Sequence, residues 1–195
     1  MADYCTPTHL KAAGRLNISG TTYDTELTAL ATAASRWIDR HCNLPIDGFV
    51  ASAGATRYYS TTDLCGKTLF FDAPLLSVST LTNGNGDTID SANYWLEPRS
   101  ISPKWQITLK SAYSWQFTTD GWVSVAGVWG YSASVPAPVA EAAAMLAGWM
   151  FKRYQAALQD STASIDLGEL VYSEAIPKQV LALLQPYRLI GRSLI

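Results

Sequence analysis

A chain of 195 residues that is 48% hydrophobic, with seven Trp and ten Tyr, carries enough apolar surface for one folded domain and has nothing of a disordered composition. Only 15% of its residues are charged, its net charge is −2, and Lys152-Arg153 is its one adjacent basic pair, so the footprint of a general nucleic-acid binder is missing. An aromatic-rich chain so poor in charge is expected to bury part of its surface against neighbours, which points to an oligomer. Met1-Ala2-Asp3-Tyr4 shows no basic region leading into an apolar core, and the apolar stretch over 142–151 is too short to span a bilayer. A cytosolic origin without membrane contact is the expectation.

The first third reads as helical. Thr6-Pro7-Thr8 offers a cap and a first-turn proline for a short helix over 9–15, and a turn, Asn17-Ile18-Ser19-Gly20, follows. A longer helix is predicted over 24–41, with Asp24 as its cap and Glu26 in its first turn. Leu27, Leu30, Ala31, Ala34, Trp37, Ile38 and His41 recur at three-four spacing and give it one buried stripe.

From Leu44-Pro45 the texture changes to short runs rich in β-formers, at 55–60, 69–71, 77–81, 94–96, 105–109 and 122–129. Asn83-Gly84-Asn85-Gly86-Asp87 is the strongest hairpin-turn signal, and Pro74, Pro98 and Pro103 mark expected strand ends or edges. After Gly130-Tyr131 and Pro136-Ala137-Pro138 a helix is predicted to about residue 159. Its main stripe is Val139, Ala142, Ala143, Leu146, Met150 and Tyr154, but its other sides are apolar too, so cover from a second subunit is expected. Residues 160–164 form a polar break, and a last short helix over 178–184 ends at Pro186. The remaining tail is apolar and basic, without an acid.

Three segments in this order carry a resemblance. Tyr23-Asp24-Thr25-Glu26-Leu27 opens a helix that closes on Trp37-Ile38-Asp39-Arg40-His41-Cys42. Leu69-Phe70-Phe71-Asp72-Ala73-Pro74-Leu75-Leu76-Ser77-Val78 lies in the middle. Val123-Ser124-Val125-Ala126-Gly127-Val128-Trp129-Gly130-Tyr131 then runs through Val135-Pro136 into an alanine-rich helix. Over roughly residues 6–155 the chain resembles the head-to-tail connector, or adaptor, family of long-tailed double-stranded DNA phages. It departs from a minimal adaptor in a longer β insertion, about 94–119, and in its tail.

The resemblance implies an α+β fold: a small helical bundle of two long helices plus shorter ones, an inserted antiparallel β-rich region and a C-terminal arm. On this sequence the parts fall at 1–43 (helical), 44–131 (β-rich), 132–185 (helical) and 186–195 (arm). It also implies a homo-oligomeric ring, usually of about twelve copies, below the portal of a virion. That ring extends the DNA channel, lets the genome pass without sequence-specific binding, and docks a stopper or tail-completion protein. The two long helices would make the body and much of the lateral contact.

Two candidate contact sets follow. Tyr187, Arg188, Leu189, Ile190, Arg192, Leu194 and Ile195 are the expected portal-docking arm. Trp105, Tyr113, Trp115 and Phe117, with Trp95 and Trp122 nearby, are either β-region core or a subunit or tail contact, since Trp and Tyr are enriched at interfaces. A rival from another class is a carbohydrate- or receptor-binding β module of a phage particle, which would need several of these rings exposed and coplanar.

Signatures of chemistry are weak. Cys5, Cys42 and Cys65 are odd in number and widely spaced, so they form no disulfide framework and read as reduced, mostly buried thiols. His41-Cys42 with Cys65 supplies too few paired ligands for structural zinc. Neither Cys65 with His9 or His41 nor the scattered acids Asp63, Asp72, Asp87, Asp90 and Glu97 show a catalytic spacing. Gly84-x-Gly86 has no following helix and is no dinucleotide fingerprint. The expectation is a non-enzymatic protein without metal or cofactor.

Overall fold

The computed structural model describes residues 2–12, 15–44, 48–51, 53–119, 121–159 and 176–189. The fold is α+β, and the chain divides into two compact units. One comprises Met1–Leu44 with Val135–Ile195, and the other Pro45–Ser134.

The first unit is helical: α1 (Pro7–Lys11), α2 (Asp24–His41), α3 (Ala137–Gln159) and α4 (Lys178–Leu184). Thr6 caps α1 by accepting from the His9 backbone N–H, with Pro7 in the first turn. The helix stops well short of residue 15, because Ala12 turns extended and Leu16 N–H donates back to Leu10 C=O. Helix α2 has the predicted bounds, but Tyr23 occupies the cap position and Asp24 is the first helical residue, ion-paired with Lys11. There Asp24 acts on the helix dipole rather than as a cap. Its buried face is Leu27, Ala31, Ala34, Ser35, Ile38 and Asp39, while Trp37 and His41 stack at its rim with centroids 4.8 Å apart.

The end of α2 is a Schellman motif. Asn43 takes φ +55°, its N–H donates to Arg40 C=O, and Leu44 N–H donates to Asp39 C=O. Helix α3 packs on α2 and α4. Val139, Ala142, Ala143, Ala144, Leu146, Ala147 and Phe151 are buried, an arc wider than the expected stripe. Alanine at four of those places lets neighbouring backbones come close. Tyr154, assigned to that stripe by spacing, is instead 46% exposed.

The second unit is an antiparallel sheet in the order β1-β6-β3-β5-β4, with β2 pairing β3 off that path. Its strands are β1 (Ala55–Tyr59), β2 (Leu64–Cys65), β3 (Thr68–Thr82), β4 (Tyr94–Glu97), β5 (Lys104–Leu109) and β6 (Val123–Trp129). The runs expected at 69–71 and 77–81 are one bent strand. Pro74 does not end it, because it sits where the β5 register shifts between Phe70 and Leu75, so no ladder donor is lost there. Up to Leu75 the strand pairs β5, and from Leu75 onward it pairs β6.

The core of this unit is aromatic. Trp129 is buried, with Phe71 edge-on at 5.3 Å between centroids, Tyr59 at 6.3 Å and its indole N–H on Ala55 C=O at 2.9 Å. The Arg57 guanidinium lies 4.9 Å from the Trp129 centroid and 2.6 Å from Asp72, which also accepts from the Tyr59 hydroxyl at 2.8 Å. Burial, then the Asp72 charge, pushes the Tyr59 hydroxyl well above its ordinary range. Gly127 is required where β6 crosses β3, since a Cβ there would stand 2.2 Å from Ser77 C=O.

Candidate interaction surfaces

The loop over 111–122 is organised by one buried side chain. Asn83 accepts from the Gly84 and Gln116 N–H groups, both at 3.0 Å, and donates to Ser114 C=O at 3.2 Å. The 83–87 segment is a turn as expected, closed by Asn83 N–H on Asp87 C=O, with the positive φ on Gly86. It doubles as the seat for the later loop: Gly84 bridges Phe117, and Gly121 lies so close that a Cβ would fall 1.8 Å from Gly84 C=O.

This seat decides where the nominated aromatics go. Trp115 and Phe117 are partly buried and pack on the sheet core, and the Trp115 indole N–H is buried with no hydrogen-bond partner among the described residues. Trp105 is half-buried on β5. Tyr113 is 39% exposed, so of the four nominated residues it alone presents much surface. More open still are Tyr58, Ile101 and Trp122, and Trp95 is as exposed as Tyr113. Trp95 is no bare platform, because the Arg99 guanidinium lies 4.0 Å from its centroid and Lys110 Nζ 5.5 Å.

Next to Trp95 runs a shallow groove of about 430 Å³, lined by Leu76, Ser77, Val78, Ser91, Tyr94, Trp95, Leu96 and Arg99. Its end wall, the loop 98–103, is held by Lys104, whose ammonium donates to the carbonyls of Pro98 (2.7 Å), Arg99 (3.0 Å) and Ile101 (2.7 Å). Lys67 likewise donates to Ser111 C=O at 2.6 Å, and Lys110 donates to Ala92 C=O. The unit's lysines therefore bind its own backbone.

In the helical unit, Tyr187 lies in a 3-10 turn (Gln185–Tyr187) and is half-buried, and Arg188 is exposed. Leu189 is tied to the end of α2, its N–H on Cys42 C=O at 2.9 Å and its C=O accepting from the Asn43 side chain at 2.9 Å. Ile190, Arg192, Leu194 and Ile195 lie outside the described residues. The positive-φ asparagine that brackets this exit was not singled out from sequence, although Asn after a helix ending is the available signal.

Cys5 and Cys42 are buried, and burial pushes both thiols up to about 11, whereas Cys65 is exposed. Among the described residues no three His, Cys, Asp or Glu side chains cluster as a metal site needs, and no helix is long and apolar enough to cross a membrane.

No family model and no curated protein matches the chain. Its fold is nevertheless shared with chains of gene transfer agent particles. A chain from the neck of an empty particle, computed with C6 symmetry, superposes with a TM-score of 0.56 at 19% identity, covering 90% of this chain and 86% of that one. A chain from the neck of a native particle, computed with C12 symmetry, gives 0.53 at 20% identity over 86% and 84%. One from the virion of a native particle gives 0.56 at 21% identity over 94% and 86%.

Proposed function

We propose that this chain is a structural, non-catalytic subunit of the neck of a phage-like particle. In this reading it is an adaptor that assembles with copies of itself into a ring below the portal. The observation that supports it is the shared fold with neck chains over at least 84% of their length, helical bundle and inserted sheet together. The ring extends the DNA channel and offers a docking surface to a stopper or tail-completion protein. Twelve copies is the favoured number, on the C12 symmetry of one such neck. The chain would belong to the virion, assembling there from the host cytoplasm.

A channel subunit needs no sequence readout, and a chain of net charge −2 suits a channel that lets DNA slide. The portal-docking arm in this reading is the segment 186–195, whose Leu189 lies beside the end of α2 through its bond with Asn43. Truncation after Gln185 is expected to weaken portal binding, and full binding by the truncated protein would remove the arm from the proposal.

The test of the whole reading is electron microscopy of particles from a producing strain with this gene deleted. Full-sized heads and free tails that fail to join are expected. Normally joined particles that fail only to adsorb would discard the adaptor role in favour of a receptor-binding one.

A further inference from the structure

We propose that the groove between β3 and β4 receives an extended, acidic segment of the next neck or tail protein, an inference that rests on the adaptor reading above. Beyond Leu75, β3 pairs β6 along one edge, and among the described residues no strand pairs its other edge over 76–80, since only Leu81 and Thr82 bond there, to Ile89 and Thr88. Strand β4 ends the sheet, so its outer edge is also unpaired. Both edges border the same groove, through Leu76, Ser77 and Val78 on one side and Tyr94, Trp95 and Leu96 on the other. Open edges carry main-chain donors and acceptors that an added strand can satisfy, and alternate side chains of that strand find the apolar floor.

Charge selects the occupant. Arg99 is exposed, stacks on Trp95 and has no carboxylate partner among the described residues. The nearby acids are already engaged: Asp90 accepts from the Ala92 N–H at 2.7 Å, and Glu97 accepts from Gln106 at 2.6 Å and Thr108 at 3.1 Å. With Lys110 beside the same ring, two cations flank the groove mouth, and Lys104 holds the loop that carries Arg99. A second copy fits less well by the edge strand β1, which reads Ala-Thr-Arg-Tyr-Tyr and carries no acid of its own, its Arg57 being paired with Asp72.

Two substitutions test the groove from different sides. Ser77→Trp at an exposed lining position plugs it, and Arg99→Glu reverses its charge, while Arg99→Lys keeps the charge. Each variant is supplied to the deletion strain, and its thermal melt checks folding, because exposed substitutions ordinarily leave stability nearly unchanged. Rings on the heads but at least about tenfold fewer joined particles are expected for Ser77→Trp and Arg99→Glu, with Arg99→Lys close to wild type.

Normal joining by both variants, folded and incorporated, would overturn the proposal. Heads that lack rings altogether would make the occupant a second copy of this chain and overturn it as stated. A deletion strain that joins heads to tails normally would instead refute the adaptor reading on which the inference rests.

Discussion

The two units hold chain outside their regular elements by different chemistry. In the helical unit, residues 2–5 lie along α2 on a ladder of polar side chains spaced three or four apart. The Thr32 hydroxyl donates to Asp3 at 2.7 Å, Ser35 accepts the Tyr4 N–H at 2.9 Å, Arg36 donates to Ala2 C=O at 2.8 Å, and the Tyr4 hydroxyl donates to Asp39. In the β unit, lysine ammonium groups and the Asn83 amide grip backbone directly. The difference teaches what each unit responds to. The helical clasp runs through a buried carboxylate that can change protonation, whereas the β unit's clamps are ammonium groups and a neutral amide on backbone carbonyls and N–H groups.

The aromatic core sets the largest expected effect. Trp129→Ala should cost the β unit about 3–5 kcal/mol, read by urea unfolding, through lost burial and an uncovered Arg57. A cost below about 1 kcal/mol would show that the Tyr59–Phe71–Trp129 cluster is not its centre. Asn83→Ala should come next, at about 2 kcal/mol, since the buried Gly84 N–H and the part-buried Gln116 N–H lose their acceptor. It should also open the loop over 111–122 to protease, and an unchanged cleavage pattern would contradict the seat described here. Lys104→Met should cost about 1–2 kcal/mol and free the 98–103 loop, seen as a changed Trp95 emission.

The pH comparison is sharper than these energies. Burial raises the Asp39 carboxyl above the usual carboxylate value, outweighing the lowering by the Tyr4 hydrogen bond and by Arg36. The folded chain thus holds that proton more tightly than the unfolded one. Its contribution to stability therefore falls as pH rises from the ordinary carboxylate range through the raised value. Asp39→Asn should flatten that slope, and a slope that survives the substitution would move the origin elsewhere.

Thiol labelling separates the units again. At pH 8, with thiols near 11, about one in a thousand Cys5 and Cys42 side chains is thiolate even before access is counted. Iodoacetamide should therefore modify exposed Cys65 first, as peptide mass spectrometry would report. The smallest effect belongs to Arg15→Ala, which removes a partly exposed pair with Glu141 at 2.5 Å and should cost less than about 1 kcal/mol.

Legibility followed the same division. Helix α2 could be bounded from spacing because its stripe is local: every third or fourth residue reports the buried face. Helix α1 came out shorter than expected because its end depends on a return bond from Leu16 to Leu10, which spacing does not encode. Pro74 was read as a strand end, yet a proline is harmless where a ladder shifts register, and only pairing to β5 reveals that place. Sequence leaves Trp115 and Phe117 between β-region core and a contact, because nothing local separates an inward ring from an outward one. Their burial follows from Asn83 and Gly84, far away in sequence.

Composition and spacing by themselves determined an α+β chain, two long helices around a β-rich insertion, and the absence of a general nucleic-acid footprint, because each rests on averages or on neighbours within a turn. Only the tertiary structure decided that β3 is one bent strand, that the lysines close on their own backbone, and that Trp95 and Arg99 border an open seam. Those outcomes depend on which distant segments meet. Pairing register, close approach at Gly127 and a single buried amide choose among arrangements that local preference leaves equal.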